Sequence, residues 1–243
     1  MEQAAKKCYN CGRVMNPSGT EPKETSQTKE HIPAKNLYVG YPEKYKVNRI
    51  TVPGCWRCNH EYSSIDDELR DVIGVINDKD GRLDVLTQKA LKNMQRNGDL
   101  LDRLENIENL TFRFKYAPLI KYNEKNFKGV FYNAFGYPFP AEKYGIRTII
   151  VNEGDEIDKD LMKNFGNELY FHATYDGGWQ HSGHPDIFQY IIKGVKDDGR
   201  GNYKFCEDVE GSIFVICICK YHEQFEMITL AFDRDKFNVP EDM

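Results

Sequence analysis

The spacing of apolar residues divides the chain into a helical region and a longer region of strand-like segments. Apolar residues recur every three or four positions over residues 64 to 77, and this period predicts an amphipathic helix. Ser64 and Asp67 stand in the spacing of a capping box at its start. A second helix is predicted over residues 87–104. Beyond residue 108 strand-like patterns dominate, so the chain is expected to have an α+β fold with a boundary near residues 105–110.

The segments predicted to be extended are rich in β-branched and aromatic residues. A short strand at residues 50–52 ends at Pro53 and Gly54, which favour a turn. Two apolar runs, at residues 212–221 and 225–232, flank a polar turn and predict an antiparallel hairpin. The other predictions are strands at 110–116 and 168–174, an extended or mixed element at 187–195, and a short helix at 159–165.

The composition is that of a globular protein outside the membrane. Hydrophobic residues make up 40% of the chain and charged residues 29%, which is enough apolar material for a core. The apolar runs are far shorter than the roughly 20 residues of a membrane-spanning helix, and the first residues lack the apolar centre of a secretion signal. We therefore expect a cytoplasmic protein with no membrane association.

The charge is distributed unevenly along the chain. The net charge is −5, but residues 1–70 carry +2 and the remaining residues carry −7. This balance argues against nucleic-acid binding through bulk positive charge, although it permits a local basic site in the first part. Any nucleic-acid affinity is expected to be modest and sensitive to salt.

Four of the seven cysteines form two C-x-x-C pairs, Cys8 with Cys11 and Cys55 with Cys58. Two intervening residues allow both thiolates of a pair to bind one ion, and four thiolates suit tetrahedral zinc. The odd total and the expected reducing compartment argue against a disulfide framework. The pairs therefore predict a closed, structural Zn²⁺ site, with packing of four reduced thiols as the less favoured alternative.

Between and after the two pairs lie Glu30-His31-Ile32-Pro33, Asn48, and an Asn59 that directly follows the second pair. This order resembles the HNH (ββα-metal) nuclease family in its zinc-knuckle form, over about residues 5–75. The resemblance implies a zinc-stapled ββα-metal domain with a helical extension at residues 1–107. A mainly β (α+β) accessory domain of unknown role would follow at residues 108–243.

The resemblance also implies roles for individual residues. His31 would be the general base, and Asn48 would hold the catalytic loop in shape. Glu30 and Asn59 would bind a catalytic Mg²⁺ or Mn²⁺ ion. The residue types suit this chemistry, because a neutral imidazole accepts a proton near pH 7 and hard oxygen ligands bind Mg²⁺. A metal of this kind neutralises charge that develops on the phosphate and the leaving oxygen.

Two departures from the family pattern leave alternatives open. The position at which many relatives carry a metal-binding histidine is Asn59, unless His60 substitutes for it, and the basic residue expected shortly afterwards is missing. Phosphate binding would then fall to Lys29, Lys35, Arg49 or Arg57. Acidic residues 66–68 could bind metal, but in the first turn of a helix they are more simply explained as complements to its dipole.

Three functions follow from the sequence. The leading hypothesis is a metal-dependent endonuclease that hydrolyses phosphodiester bonds, with DNA as the expected substrate. The alternative is a catalytically inactive zinc-knuckle adaptor that binds nucleic acid or protein. In the third, the activity lies in the second half, which could bind a protein partner or a ligand. There, His181 and His184 have the spacing of a metal pair, although an ordinary aromatic-rich loop is favoured.

Overall fold

The computed structural model describes residues 6–75, 84–98, 100–106, 111–151, 163, 166–175, 177–200 and 202–237. Within these residues the fold is a mixture of helices and antiparallel strands, as the sequence predicts. The predicted helix at 159–165 lies almost entirely outside the described residues. No described helix is both long and apolar enough to cross a bilayer.

The first part consists of a β-hairpin followed by helices. Strands β1 (Gln27–Ile32) and β2 (Ile50–Cys55) pair antiparallel, and helices α1 (Trp56–Glu61) and α2 (Ser63–Val75) follow directly. Helix α2 corresponds to the predicted amphipathic helix. The second predicted helix is divided into α3 (Asp84–Asn97) and α4 (Leu100–Arg103).

The second part contains a sheet of six described strands, with the order β5-β10-β9-β7-β6 and with β8 also paired to β7. Its strands are β5 (Tyr144–Ile150), β6 (Gln180–His181), β7 (Phe188–Asp197), β8 (Tyr203–Cys206), β9 (Phe214–Tyr221) and β10 (Phe225–Asp233). All neighbouring strands run antiparallel. The predicted hairpin is confirmed as β9 and β10, and the predicted extended element at 187–195 is confirmed as β7.

Two predicted strands are wrong. At residues 110–116, of which Leu110 lies outside the description, only the two-residue strand β4 (Thr111–Phe112) is present, paired with β3 (Leu104–Asn106). Helix α5 (Tyr116–Phe135) then begins where the strand was expected to end. The segment 168–174 is helix α6 (Asn167–Tyr175), whose buried residues Leu169 and Ala173 are four positions apart, one turn of helix.

Helix α5 lies at the centre of the molecule and contacts both the hairpin and the sheet. Asn123 donates a hydrogen bond to Thr229 on β10 at 2.9 Å, and Tyr221 on β9 donates one to Asn123 at 2.7 Å. All three residues are buried. A single apolar cluster includes residues of the hairpin, α5 and the sheet. The hairpin therefore takes its position from a helix in the second half of the chain.

Gly129 on α5 permits the close approach of β1. A Cβ atom at this position would lie 2.4 Å from Cδ1 and Cγ1 of Ile32, a fully buried residue of β1. We expect Gly129→Val to lower the free energy of unfolding by about 1–3 kcal/mol, because the added atoms overfill a packed site. Urea denaturation measures the change.

The control for this substitution is Ala134→Val, which adds apolar atoms to an exposed position of the same helix. It should cost less than about 1 kcal/mol, the difference in helix propensity. By propensity alone, valine is better than glycine in a helix. An unchanged or raised stability of Gly129→Val would therefore contradict the close contact between α5 and β1.

Candidate metal centre and the surface around His31

The hairpin and α1 bring the two cysteine pairs together. Cys55 is the last residue of β2 and Cys58 lies in α1, so the second pair spans a strand-to-helix junction. The first pair lies in a tight turn, where the amide of Gly12 donates to the carbonyl of Cys8 at 2.9 Å. Gly12 has φ of 70°, a left-handed conformation that glycine adopts at little cost.

The four thiols form a compact group. All four Sγ atoms lie within 4.8 Å of one another, and the sulfurs of Cys11 and Cys55 are 3.9 Å apart. Zinc–sulfur bonds of about 2.3 Å in a tetrahedron place sulfurs about 3.8 Å apart, so the spacing suits Zn²⁺. The amide of Cys55 also donates to the sulfur of Cys8 at 3.3 Å, and a bond of this kind helps to orient a thiolate toward a metal. The four cysteines could therefore bind one zinc ion.

The electrostatics of the group favour thiolate at Cys8. A hydrogen bond with Cys58 lowers the pKa of the Cys8 thiol to about 5, against the opposing effect of burial. The same interaction raises the pKa of Cys58 above its ordinary value. A metal ion bound by all four sulfurs would remove this difference between Cys8 and Cys58, because it binds each of them as a thiolate.

Glu30 is a buried member of an ion cluster. It is only 6% exposed, and its Oε1 lies 3.3 Å from Nζ of Lys125 on α5. Asp66 on α2 accepts from the same ammonium at 2.8 Å and 3.1 Å. Lys125 is itself 1% exposed. The two carboxylates thus share one buried cation contributed by the second half of the chain.

Burial is the main cause that raises the pKa of both Glu30 and Asp66, and the charge of Lys125 opposes it. Glu30 Oε2 is buried without a hydrogen-bond partner among the described residues. A divalent ion here would lie next to an ammonium group, and like charges at this distance repel strongly in a low dielectric. Asn59 donates its amide to Thr28 at 3.4 Å. The catalytic Mg²⁺ or Mn²⁺ ion expected at Glu30 and Asn59 stays a prediction.

His31 lies on the opposite face of β1 from Glu30, because successive side chains of a strand alternate. Its Nδ1 is 3.5 Å from the hydroxyl of Thr51, the residue opposite it on β2. Partial burial, together with the charges of Arg49, Lys35 and Lys29, lowers the pKa of His31 to about 4. The imidazole is therefore neutral at pH 7 and has cations around it.

Asn48 lies just before β2, with φ of 56°, a left-handed conformation that asparagine tolerates better than most residues. Its carbonyl accepts from the amide of Gly183 at 3.4 Å, which connects the hairpin loop to the second half. Asn48 also lines an open cleft of about 580 Å³, together with Arg49, Thr51 and His181. The expected role of Asn48 in holding the catalytic loop in shape stays a prediction.

The remaining site residues have structural partners. Asp67 and Glu68 form ion pairs with Arg70 and Arg103, respectively. The ring of His184 stacks on Tyr45 with 3.7 Å between centroids. Among the described residues, the four cysteines form the group of side chains that could hold a metal ion, and His181 and His184 are not part of such a group.

Sequence reasoning missed Lys125 and Tyr122, both on α5. The hydroxyl of Tyr122 accepts from the amide of Ala34, just after β1, at 3.3 Å. Both residues lie far from the hairpin in sequence, and no motif marks them. The helix that carries them did have local signals, namely Pro118 in its first turn and Gly136 directly after its end.

Comparisons with protein-family models, with curated proteins and with solved structures give no match for this chain. The function is therefore argued from the geometry of the site.

Proposed function

We propose that this protein is a nucleic-acid phosphodiesterase of the HNH type, in which His31 accepts a proton from the attacking water. The observation that carries the proposal is a neutral, partly exposed imidazole next to three cations, on a hairpin held by four cysteines. A phosphate group would be attracted to such a surface, and the imidazole would face the water that attacks it.

The chain's own residues account for the following steps. Arg49, Lys29 and Lys35 attract the phosphate and neutralise part of the charge that develops on it. His31 takes a proton from water, the water oxygen bonds to phosphorus, and the ester bond to the leaving oxygen breaks. The leaving oxygen takes a proton from solvent. A zinc ion held by the four cysteines would support the hairpin and would take no part in the chemistry. We assign no step to a second metal ion, because the Glu30 carboxylate lies beside the ammonium of Lys125.

His31→Ala tests this assignment. Loss of a general base typically lowers the rate by a factor of about 10²–10⁴, so we expect plasmid nicking to fall by that factor. Zinc-loaded protein is assayed on supercoiled DNA and on RNA, with added Mg²⁺, with added Mn²⁺ and with neither. His172→Ala, which removes a half-exposed imidazole on α6, is the control and should cleave at the normal rate.

The pH profile of the cleavage rate provides a second test. Because the pKa of His31 is about 4, the imidazole stays neutral as the pH falls from 8 to 5. The rate should therefore show no loss in this interval from protonation of the base, and should fall only near pH 4 and below. A rate that declines around pH 6.5 in a folded protein would contradict the assignment.

A zinc-knuckle adaptor is the second candidate, and the burial of Glu30 against Lys125 favours it. In an adaptor the basic surface around His31 would bind a phosphate-bearing partner without cleaving it. The same variants distinguish the two functions. An adaptor binds nucleic acid or protein, leaves every plasmid and RNA substrate intact, and loses little affinity in His31→Ala.

A further inference from the structure

A second cationic cleft lies between α2 and α3, on a surface that the proposed mechanism does not use. Its volume is about 420 Å³, and its lining includes Arg70, Lys89, Lys92, Arg96 and Asn36. In a chain with a net charge of −5, four basic side chains around one cleft form a local positive region.

The packing of α3 determines which of its side chains enter this cleft. Leu86, Ala90 and Met94 are buried at intervals of four residues, and α3 packs on α2. Lys89, Lys92 and Arg96 are exposed, at intervals of three and four residues. This spacing places the three cations along one side of the helix, where a single extended anion can contact all of them.

The cations of α3 are less neutralised than the cation of α2. The Arg70 side chain is 4% exposed and forms ion pairs with Asp67 and Asp71. Its charge is therefore neutralised by carboxylates of α2 itself. Asp67, which also lines the cleft, forms an ion pair with Arg70 and accepts a hydrogen bond from Asn36. The charge of Lys89, Lys92 and Arg96 is thus available to an anion from solution.

The cleft lies next to the turn that follows β1, on the α2 side of the hairpin. Asn36 donates to the backbone carbonyl of Asp66 and to the carboxylate of Asp67, which ties the turn after β1 to α2. His31 is five residues before Asn36, so their Cα atoms are at most about 18 Å apart. One nucleic-acid strand carries a phosphate about every 3.4 Å along a duplex, so this separation corresponds to about five phosphates or fewer.

We propose that this cleft is an exosite for the phosphate backbone of a nucleic acid, which it holds beside the bond presented to His31. The inference rests on the proposed function, because it takes the substrate to be a nucleic acid. Lys89, Lys92 and Arg96 contact phosphates that flank the reacting one. Such contacts position the strand without reading its sequence.

Binding is measured by fluorescence anisotropy with a labelled DNA duplex. The protein is zinc-loaded His31→Ala without added Mg²⁺ or Mn²⁺, so that the duplex stays intact. In this background, Lys89→Gln, Lys92→Gln and Arg96→Gln are combined. We expect Kd to rise about tenfold or more at about 50 mM salt, and the slope of log K against log salt to fall in magnitude by about 2 to 3.

The control variant removes the same charge elsewhere, with Lys115→Gln, Lys204→Gln and Lys236→Gln at exposed positions. It should bind with nearly the parental Kd and salt slope. Equal effects of the two triple variants would overturn the exosite, because total charge would then explain the binding. Inorganic phosphate that displaces the duplex much better than sulfate of equal ionic strength would also overturn it, because the cleft would then be a site for free phosphate.

The exosite and the proposed function fail in different ways. If the α3 variant loses affinity as expected but the parent protein cleaves no substrate, the hydrolytic function is wrong and the exosite stands. If cleavage depends on His31 while the α3 variant binds and cleaves normally, the exosite alone is wrong.

Discussion

Cys8→Ser is expected to abolish zinc binding by the four cysteines and to lower the free energy of unfolding by about 5 kcal/mol or more. Zinc binding contributes about 10–16 kcal/mol to the folding free energy of small zinc domains, and the loss of one thiolate removes a large part of this contribution. Cys8 is fully buried, and its sulfur accepts from the amide of Cys55, so the loss also disturbs the start of α1. For a chain of this size we expect the melting temperature to fall by about 10–20 °C.

Calorimetry measures the melting temperature, and a colorimetric chelator measures the zinc content. Cys206→Ser is the matched control, because Cys206 lies on β8 outside the group of four cysteines and a serine hydroxyl can replace its contact with Asp208. It should retain one zinc per chain and a nearly unchanged melting temperature. A Cys8→Ser protein that keeps both zinc and stability would contradict a four-cysteine site.

Lys125→Met is expected to destabilise the protein by about 3–5 kcal/mol, because it leaves the carboxylates of Glu30 and Asp66 buried without their cation. Methionine keeps most of the length and apolar character of the side chain, so the loss reports on charge. Urea denaturation of zinc-loaded protein at pH 8 measures it. Lys121→Met, an exposed position one turn earlier on α5, is the control and should change the stability by less than about 1 kcal/mol.

The pH dependence of the Lys125→Met variant has a definite sign. The pKa values of Glu30 and Asp66 are already raised in the folded protein, chiefly by burial, and loss of the ammonium raises them further. The folded state then binds protons more readily than the unfolded state, so the variant gains stability as the pH falls. Its deficit relative to the parent should be smaller at pH 5 than at pH 8. An equal deficit at both values would show that the cluster does not bury charge.

The ion cluster of Glu30, Asp66 and Lys125 connects the two parts of the chain that the sequence analysis divides at residues 107 and 108. That division stays a prediction. The hairpin contacts α5 through Lys125, Tyr122 and Gly129, and all three residues lie beyond residue 108. A fragment of residues 1–107 would retain the four cysteines but would lack the cation that neutralises Glu30. The experiments for both proposals therefore use the whole chain.

Local patterns were sufficient for several parts of the fold. Two C-x-x-C pairs place thiols where one ion can hold them, and this depends only on short turns around Cys8 and Cys55. Helix α2 could be predicted because its apolar residues keep the helical period over several turns. The hairpin of β9 and β10 is readable because two long apolar runs flank a short polar turn.

Helices α5 and α6 were not predicted because their sequences are locally ambiguous. Aromatic residues such as Phe171 favour strands, and the differences in helix propensity are below about 1 kcal/mol per residue. Packing decides between such close alternatives. In α6, burial of Leu169 and Ala173 against the sheet favours one face of a helix. In α5, the buried amides of Asn123 and Asn126 donate to Thr229 on β10 and to Tyr221 on β9, which lie far away in sequence.

The amino-acid sequence alone was enough to predict a four-cysteine metal site beside a hairpin. It also marked Glu30 and His31 as candidate site residues. It could not show that these neighbours serve different purposes. Alternation along β1 directs one carboxylate inward and one imidazole outward, and the inward position becomes an ion pair because Lys125 arrives from a distant helix. Lys125 is far from Glu30 in sequence, and no spacing pattern connects the two residues. The ion pair could therefore be identified only from the packing of the folded chain.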